Sequence, residues 1–296
     1  HSTSSAASDV YKRQPLHLSP KYYNFIQPSY ANYLRVTEAW LSSNRAYISD
    51  DQKKELKMNL PFERIPEQPT SKAALLVHGL GDSPFSFVDI SNTLMKQGFY
   101  VQVLLLPGHG SKPADMMLPN YRDWQHIVDH YATLLKQDYK EVWLGGFSTG
   151  ANLVTIHSIE QQGIDGLLLF SPAFKSKAVA LEKITPLVAS FWPQGWQTEE
   201  ANLARYSSAP LNGAIAYSKS AQVVRDRLSG NTLSIPVFIA ISEDDSVVNA
   251  KAIKDYFIDH FTHPANKMLW YGEQQFDEKR IITPVSYTHL RAHETV

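Results

Sequence analysis

The pentapeptide Gly146-Phe147-Ser148-Thr149-Gly150 decides the fold class of this 296-residue chain. It follows an apolar run at residues 142–144 and precedes residues 151–156, which have helical spacing. This order predicts a strand, a sharp turn and a helix, with Ser148 at the apex. A serine in such a turn has a strained backbone and an exposed hydroxyl, which suits a nucleophile. The pentapeptide alone is a weak signal, and its context makes it informative.

Strands and helices alternate along the rest of the chain. Continuous apolar runs predict buried strands at residues 73–77, 100–106, 166–170, 236–241 and 267–271. Apolar periodicity and capping residues predict helices at residues 29–41, 83–97, 120–137, 218–228 and 251–261. Strands joined by helices indicate an α/β fold with a doubly wound, mostly parallel sheet. Residues 172–232 interrupt the alternation and are predicted to form a helical lid insertion.

Composition excludes several functions. The net charge is −1 and basic residues are scattered, so we expect no nucleic-acid partner. No apolar run approaches the roughly 20 residues of a membrane span, so we expect no stable membrane insertion. The chain has no cysteine, which excludes thiolate nucleophiles and fits cytoplasm and periplasm equally. Without zinc spacing or a glycine-rich cofactor motif, we expect no metal and no cofactor.

Acyl transfer by a serine needs a base, a carboxylate behind the base, and N–H donors for the oxyanion. Three acids follow the strand at residues 236–241, and catalytic groups gather at the carboxyl ends of parallel strands. We rank Asp245 first, Asp244 second and Glu243 third as the carboxylate. The alternative is that these acids cap the helix that begins near Asn249.

The loop His78-Gly79-Leu80-Gly81 follows the strand at residues 73–77 and supplies a candidate oxyanion hole. Its donors would be the backbone N–H groups of Leu80 and Thr149. The glycines permit close approach to the reacting carbonyl. The alternative is an ordinary tight turn, which would be the better interpretation if the serine pentapeptide were absent.

The base is missing from its expected place. A histidine should follow the strand at residues 267–271, but residues 272–276 contain none. Other candidate histidines precede that strand, lie in glycine-containing turns, or lie near the end of the chain: His260, His263, His78, His109, His289 and His293. We expect the natural base beyond Pro284; the alternative is that a histidine of the final segment occupies similar space.

These residues resemble the α/β-hydrolase superfamily, most of all its bacterial monoacylglycerol-lipase and carboxylesterase branch of the serine aminopeptidase type. The resemblance covers about residues 72–272 and rests on residues 78–84, 106–113, 123–124, 145–151 and 242–248. It implies that Ser148 is the nucleophile and Asp245 the triad acid, with a lid over an acyl pocket. The missing histidine is the departure from the family pattern.

Both ends of the chain look foreign. Residues 1–14 and 285–296 resemble translated sequencing-adaptor read-through, and we expect them to be non-native tails. Residues 15–284 would then form a single α/β-hydrolase domain, with the lid insertion at about residues 172–232.

The first hypothesis is a cofactor-free serine hydrolase that cleaves carboxylic esters through an acyl-enzyme intermediate. An apolar acyl group would suit the apolar residues of the lid: Phe174, Leu181, Ile184, Leu187, Val188, Phe191 and Trp192. These residues would alternatively only pack the lid onto the body. Other hypotheses are a thioesterase, an aminopeptidase whose Glu199 and Glu200 bind the substrate amine, or a non-catalytic binding protein without the histidine. The sequence does not indicate acyl length, alcohol, compartment or oligomeric state.

Overall fold

A computed structural model of the protein describes residues 18–20, 22–178, 187, 190–191, 195, 198–208 and 210–284. The strands are β1 (Phe62–Arg64), β2 (Lys72–Val77), β3 (Tyr100–Leu104), β4 (Glu141–Phe147), β5 (Gly166–Phe170), β6 (Val237–Ser242), β7 (Lys267–Tyr271) and β8 (Ile281–Ile282). The α-helices are α1 (Tyr30–Asn44), α2 (Gln52–Asn59), α3 (Val88–Lys96), α4 (Tyr121–Asp138), α5 (Thr149–Glu160), α6 (Leu211–Leu228) and α7 (Ala250–His260). Two 3₁₀ helices cover Pro84–Phe87 and Pro113–Met117.

The strands form one sheet in the order β1-β3-β2-β4-β5-β6-β7-β8. Strand β1 is antiparallel to β3, and every other neighbouring pair is parallel. The predicted mostly parallel sheet with flanking helices is therefore confirmed. Because the parallel strands run in one direction, the loops after β2, β3, β4, β6 and β7 meet at one edge. Ser148 follows β4 at that edge.

Both faces of the sheet are buried, as the continuous apolar runs predicted. Ala73, Leu75 and Val77 of β2 join a large core with apolar residues of α1, α4, α5, α6 and α7. Ala74 and Leu76 point to the other face, where they join a second core with Phe87. Alternate residues of a strand face opposite sides, so one short strand supports both helical layers.

Several helix and strand limits differ from those predicted. The helix expected from residue 83 is a 3₁₀ turn followed by α3, and Ser83 makes no side-chain cap. Helix α6 begins at Leu211 rather than Ser218. Strands β1 and β8 and helix α2 were not predicted, because each is too short to show a clear apolar period.

The predicted lid stays a prediction. Leu181, Ile184, Val188 and Trp192 lie outside the described residues, and Leu187 and Phe191 are exposed. Phe174 is fully buried in the core against Tyr256 and Phe261, which fits the alternative that it packs onto the body. Among the described residues, no helix has the length and apolar character that a membrane span requires.

A buried ion pair fixes the region before the sheet. Arg45 Nη2 lies 2.7 Å from Glu55 Oε1, and the two side chains are 5% and 0% exposed. Arg45 also donates to the carbonyls of Gly110 and Leu203. The pair therefore joins the α1–α2 connection to the turn after β3 and to the segment at residues 198–208.

We predict that Glu55→Ala lowers the free energy of unfolding by about 3–5 kcal/mol, because it leaves the Arg45 charge buried and unpaired. Urea unfolding at pH 7 measures the loss. The control is Glu160→Ala, which breaks a surface pair with Arg227 and should leave the free energy nearly unchanged. Equal effects of the two substitutions would contradict the role of the buried pair.

Candidate active site

Ser148 occupies a strained turn between β4 and α5. Its backbone has φ 53° and ψ −112°, a conformation that residues other than glycine rarely adopt. Its N–H donates to the Phe170 carbonyl at the end of β5 (2.9 Å), and its side chain is partly exposed. The predicted strand, turn and helix are all present here. Such strain persists only where neighbouring structure enforces it, and it occurs often at functional sites.

Two glycines make this turn possible. A Cβ atom at Gly146 would lie 2.3 Å from the backbone nitrogen of Ala151 in the first turn of α5. A Cβ atom at Gly150 would lie 2.0 Å from the Val77 carbonyl oxygen of β2. Both contacts involve backbone atoms, which cannot move aside as a flexible side chain does. Helix α5 therefore lies directly against β2 and presents its N-terminus at the edge of the sheet.

The two N–H groups expected to bind an oxyanion flank this turn. Thr149 is the first residue of α5, where helix N–H groups lack intrahelical partners. Leu80 lies in the loop after β2, which contacts the serine closely: a Cβ atom at Gly79 would lie 3.2 Å from Ser148 Cβ. Within the part of the chain that the structure describes, neither N–H forms a hydrogen bond.

His78 and His109 are fully committed to backbone groups. The Nε2 atom of His78 accepts from the Leu106 N–H, and that of His109 accepts from the Gly81 N–H, both at 3.0 Å. Each ring must therefore carry its proton on Nδ1, which lies 2.8 Å from the Gly79 oxygen in His78 and 3.2 Å from the Pro107 oxygen in His109. This bonding is incompatible with a role as general base, and the sequence did not reveal it.

The three candidate acids have different surroundings. Glu243 Oε2 accepts from the backbone N–H groups of Glu273 (2.8 Å) and Gln274 (3.2 Å), so it joins the end of β6 to the loop after β7. Asp244 is exposed. Asp245 Oδ1 accepts from the N–H groups of Val247 and Val248, whereas Oδ2 accepts no hydrogen bond from a described residue. Asn249, rather than any of these acids, caps α7.

The remaining described histidines lie away from these groups. His130 contacts the Gln27 carbonyl, His157 pairs with Asp129 of α4, and His260 contacts the Asn231 carbonyl. His263 accepts from the Ala265 N–H, and His126 is exposed on α4. His289 and His293 lie outside the described residues. In the described ranges no three His, Asp or Glu side chains are grouped as metal ligands would be.

The carboxylate of Glu200 is also engaged. It accepts from the N–H groups of Ser207 and Ser208, both at 2.8 Å. Glu199 and Glu200 lie in a loop. Glu200 holds the segment at residues 198–208 together.

Comparison with known proteins identifies the family. A family model described as serine aminopeptidase, S33, matches residues 68–273. The chain belongs to this family. The S33 match spans β2 to β7, and it includes Ser148, Asp245 and the loop that carries Leu80.

The chain is also similar to known lipases and esterases. A thermostable monoacylglycerol lipase of Bacillus sp. (strain H-257) is 23% identical over 178 residues, 59% of this chain and 70% of that protein. A putative esterase/lipase of Mycoplasma pneumoniae is 23% identical over 225 residues, 66% of this chain and 76% of that protein. The monoacylglycerol lipase of Paleococcus ferrophilus has a TM-score of 0.60 at 15% identity, over 79% of this chain and 96% of that one. This likeness shows the α/β-hydrolase fold.

We predict that Gly150→Ala lowers the free energy of unfolding by about 3 kcal/mol, because its Cβ would overlap the Val77 carbonyl. The free energy measured by urea unfolding and the activity of the folded fraction should both be lower than in the wild type. Gly230→Ala is the matched control, since a Cβ there meets no atom within 4 Å. If both variants behave like the wild type, helix α5 does not lie as closely against β2 as described.

We also predict that the two buried histidines lower the stability of the protein in acid. Burial lowers the pKa of His78 to about 4 and that of His109 to about 3, the latter also through its neighbour His78. The unfolded chain takes up these protons from about pH 6.5 downward, whereas the native protein does not until pH 4 or below. The free energy of unfolding should therefore fall as pH falls from 6.5 to 4.

In His109→Gln the free energy of unfolding should fall less steeply with pH, by about 1.4 kcal/mol per pH unit near pH 5. The reason is that the unfolded variant takes up one proton fewer. Urea unfolding at pH 7, 6, 5 and 4.5 measures both slopes. An unchanged slope in the variant would mean that His109 is protonated in the native protein.

Proposed function

We propose that the protein is a serine hydrolase that cleaves carboxylic esters through an acyl-enzyme intermediate. Ser148 Oγ attacks the acyl carbon, the alcohol leaves, and water then releases the acid. The coarser assignment, to an α/β-hydrolase family with lipase and esterase relatives, rests on the family match and supports carboxylic ester hydrolase activity. The strained backbone of Ser148 at the edge of the sheet is the observation that carries the finer proposal.

The oxyanion formed in this attack would be bound by the N–H groups of Leu80 and Thr149. Three observations support this role. Both N–H groups lack partners among the described residues, Thr149 adds the positive end of a helix dipole, and the Leu80 loop contacts Ser148. Preorganised donors of this kind are among the largest contributions to acyl-transfer rates.

Asp245 is the proposed acid of the triad. Two backbone N–H groups hold its Oδ1, and Oδ2 is left to accept from an imidazole. Glu243 is a weaker candidate because its Oε2 is already bonded to the loop after β7.

The general base is not one of the described histidines, and a histidine after Pro284 stays the prediction for it. Strand β8 runs parallel to β7, so the residues that follow Ile282 leave the sheet at the same edge as Ser148. A histidine that follows β8 would reach this edge as naturally as one that follows β7. This geometry supports the expectation that the base comes from after Pro284.

An ester with an apolar acyl group is the proposed substrate. The relatives include a monoacylglycerol lipase, and three exposed apolar side chains follow strands at the same edge as Ser148. They are Phe85 after β2, Leu118 after β3 and Val247 after β6. The aminopeptidase alternative is less favoured, because both carboxylate oxygens of Glu200 already accept from backbone N–H groups. Of the two glutamates, this leaves only the exposed Glu199 to bind a substrate amine.

We predict that a fluorophosphonate probe labels Ser148 and that Ser148→Ala abolishes both labelling and p-nitrophenyl butyrate hydrolysis. The reason is that no other group in the proposed mechanism forms the covalent bond. With a histidine after Pro284 as the base, kcat should rise through one titration near pH 6.5, the ordinary pKa of that side chain. Intact-protein and peptide mass spectrometry locate the label, and absorbance follows hydrolysis.

Ser158→Ala is the control and should behave like the wild type, because this half-buried hydroxyl of α5 donates to the Val154 carbonyl of its own helix. If Ser148→Ala hydrolyses the ester as fast as the wild type, the proposal is wrong. Labelling of Ser148 without turnover would favour a protein that lacks its histidine.

A further inference from the structure

The N–H of Leu80 belongs to the peptide group that joins Gly79 to Leu80. This peptide is trans, as are all described peptide bonds, so its C=O and N–H point in opposite directions. Whatever holds the Gly79 carbonyl therefore also sets the direction of the Leu80 N–H. The direction of the Leu80 N–H therefore depends on the hydrogen-bond partners of the Gly79 carbonyl oxygen.

Two donors hold that carbonyl. His78 Nδ1–H lies 2.8 Å from the Gly79 oxygen, and the Asp82 N–H lies 3.2 Å from it. His78 is itself fixed, because its Nε2 accepts from the Leu106 N–H at the end of the β3 region. The ring is fully buried and cannot turn without losing both bonds.

The two peptide groups that follow, Leu80–Gly81 and Gly81–Asp82, are held as firmly. The Gly81 N–H donates to His109 Nε2 (3.0 Å), and the Gly81 carbonyl accepts from the Tyr206 N–H (2.7 Å). The His109 ring lies parallel to the Tyr206 ring, with centroids 6.2 Å apart, and edge-on to the His78 ring at 4.9 Å. Both flanks of the Leu80 N–H are thus fixed by a histidine.

The surroundings leave little room for the loop to shift. A Cβ at Gly79 would touch Ser148 Cβ, and a Cβ at Gly213 of α6 would lie 3.1 Å from Leu80 Cδ1. The loop is enclosed between the serine turn and α6. The loop therefore cannot compensate for a small rotation of the Gly79–Leu80 peptide group.

We propose that His78 and His109 are positioning residues that aim the Leu80 N–H at the oxyanion, each as a neutral ring with its proton on Nδ1. The inference rests on the proposed function and adds to it two histidines that never touch the substrate. The low pKa of each buried ring agrees with the neutral form. A protonated His109 would direct an N–H at the Gly81 N–H and push this part of the loop away.

The test compares His109→Ala with His109→Gln, because glutamine places an acceptor oxygen near the position of Nε2 and alanine does not. With p-nitrophenyl butyrate, His109→Ala should lower kcat by about 10-fold to 100-fold, less than outright removal of an oxyanion donor. KM should change by less than about 2-fold, since only transition-state stabilisation is lost. His109→Gln should recover most of kcat.

The matched control is His157→Gln, another buried histidine, which pairs with Asp129 away from the loop. It should keep the wild-type kcat even if stability falls. If His109→Ala and His109→Gln have equal kcat per folded molecule, the positioning role is wrong. If Ser148→Ala is as active as the wild type, the proposed function fails instead.

A second measurement does not depend on activity. Nitrogen chemical shifts of the imidazole rings at pH 7 report which ring nitrogen carries the proton. We expect Nδ1 to be protonated and Nε2 unprotonated in both His78 and His109. Protonation of Nε2 in either ring would overturn the inference, because the Leu106 or Gly81 N–H would then have no acceptor.

Discussion

Helix α5 approaches strand β2 so closely that only a glycine fits between them, and the position of Ser148 follows from this contact. A Cβ at Gly150 would lie 2.0 Å from the Val77 oxygen, while Val77 pairs directly with Gly146 of β4. The chain must therefore reverse from strand to helix within one residue. The unusual φ and ψ of Ser148 are the consequence, and the parallel register of the sheet maintains them.

The rest of the site is arranged around this fixed turn by residues that do no chemistry. The loop after β2 is held by two buried histidines, and the turn after β3 that carries His109 is held in its own right. The Arg45 side chain donates to the Gly110 carbonyl, and Asp115 accepts from Ser111 and from the backbone and side chain of Ser19. The region before the sheet thus stabilises the turn after β3. His109 of that turn bonds to Gly81 in the loop after β2.

Local features were predictable from the sequence, and contacts between distant residues were not. The serine turn, and the Asn120 cap of α4, depend on neighbours within a few positions, so their spacing shows in the sequence. The bonds of His78 and His109 join residues 28 positions apart, and β8 forms only because β7 lies beside it. Composition could not show whether Phe174 faces an acyl pocket or packs into the core.

The most direct test of this account is a crystal structure of the protein after reaction with a fluorophosphonate. The adduct on Ser148 imitates the tetrahedral intermediate and carries an oxygen where the oxyanion would lie. We expect that oxygen within about 2.7–3.1 Å of the backbone nitrogens of Leu80 and Thr149. We also expect the His78 and His109 bonds to be intact. An oxygen directed away from these two nitrogens would contradict the central claim.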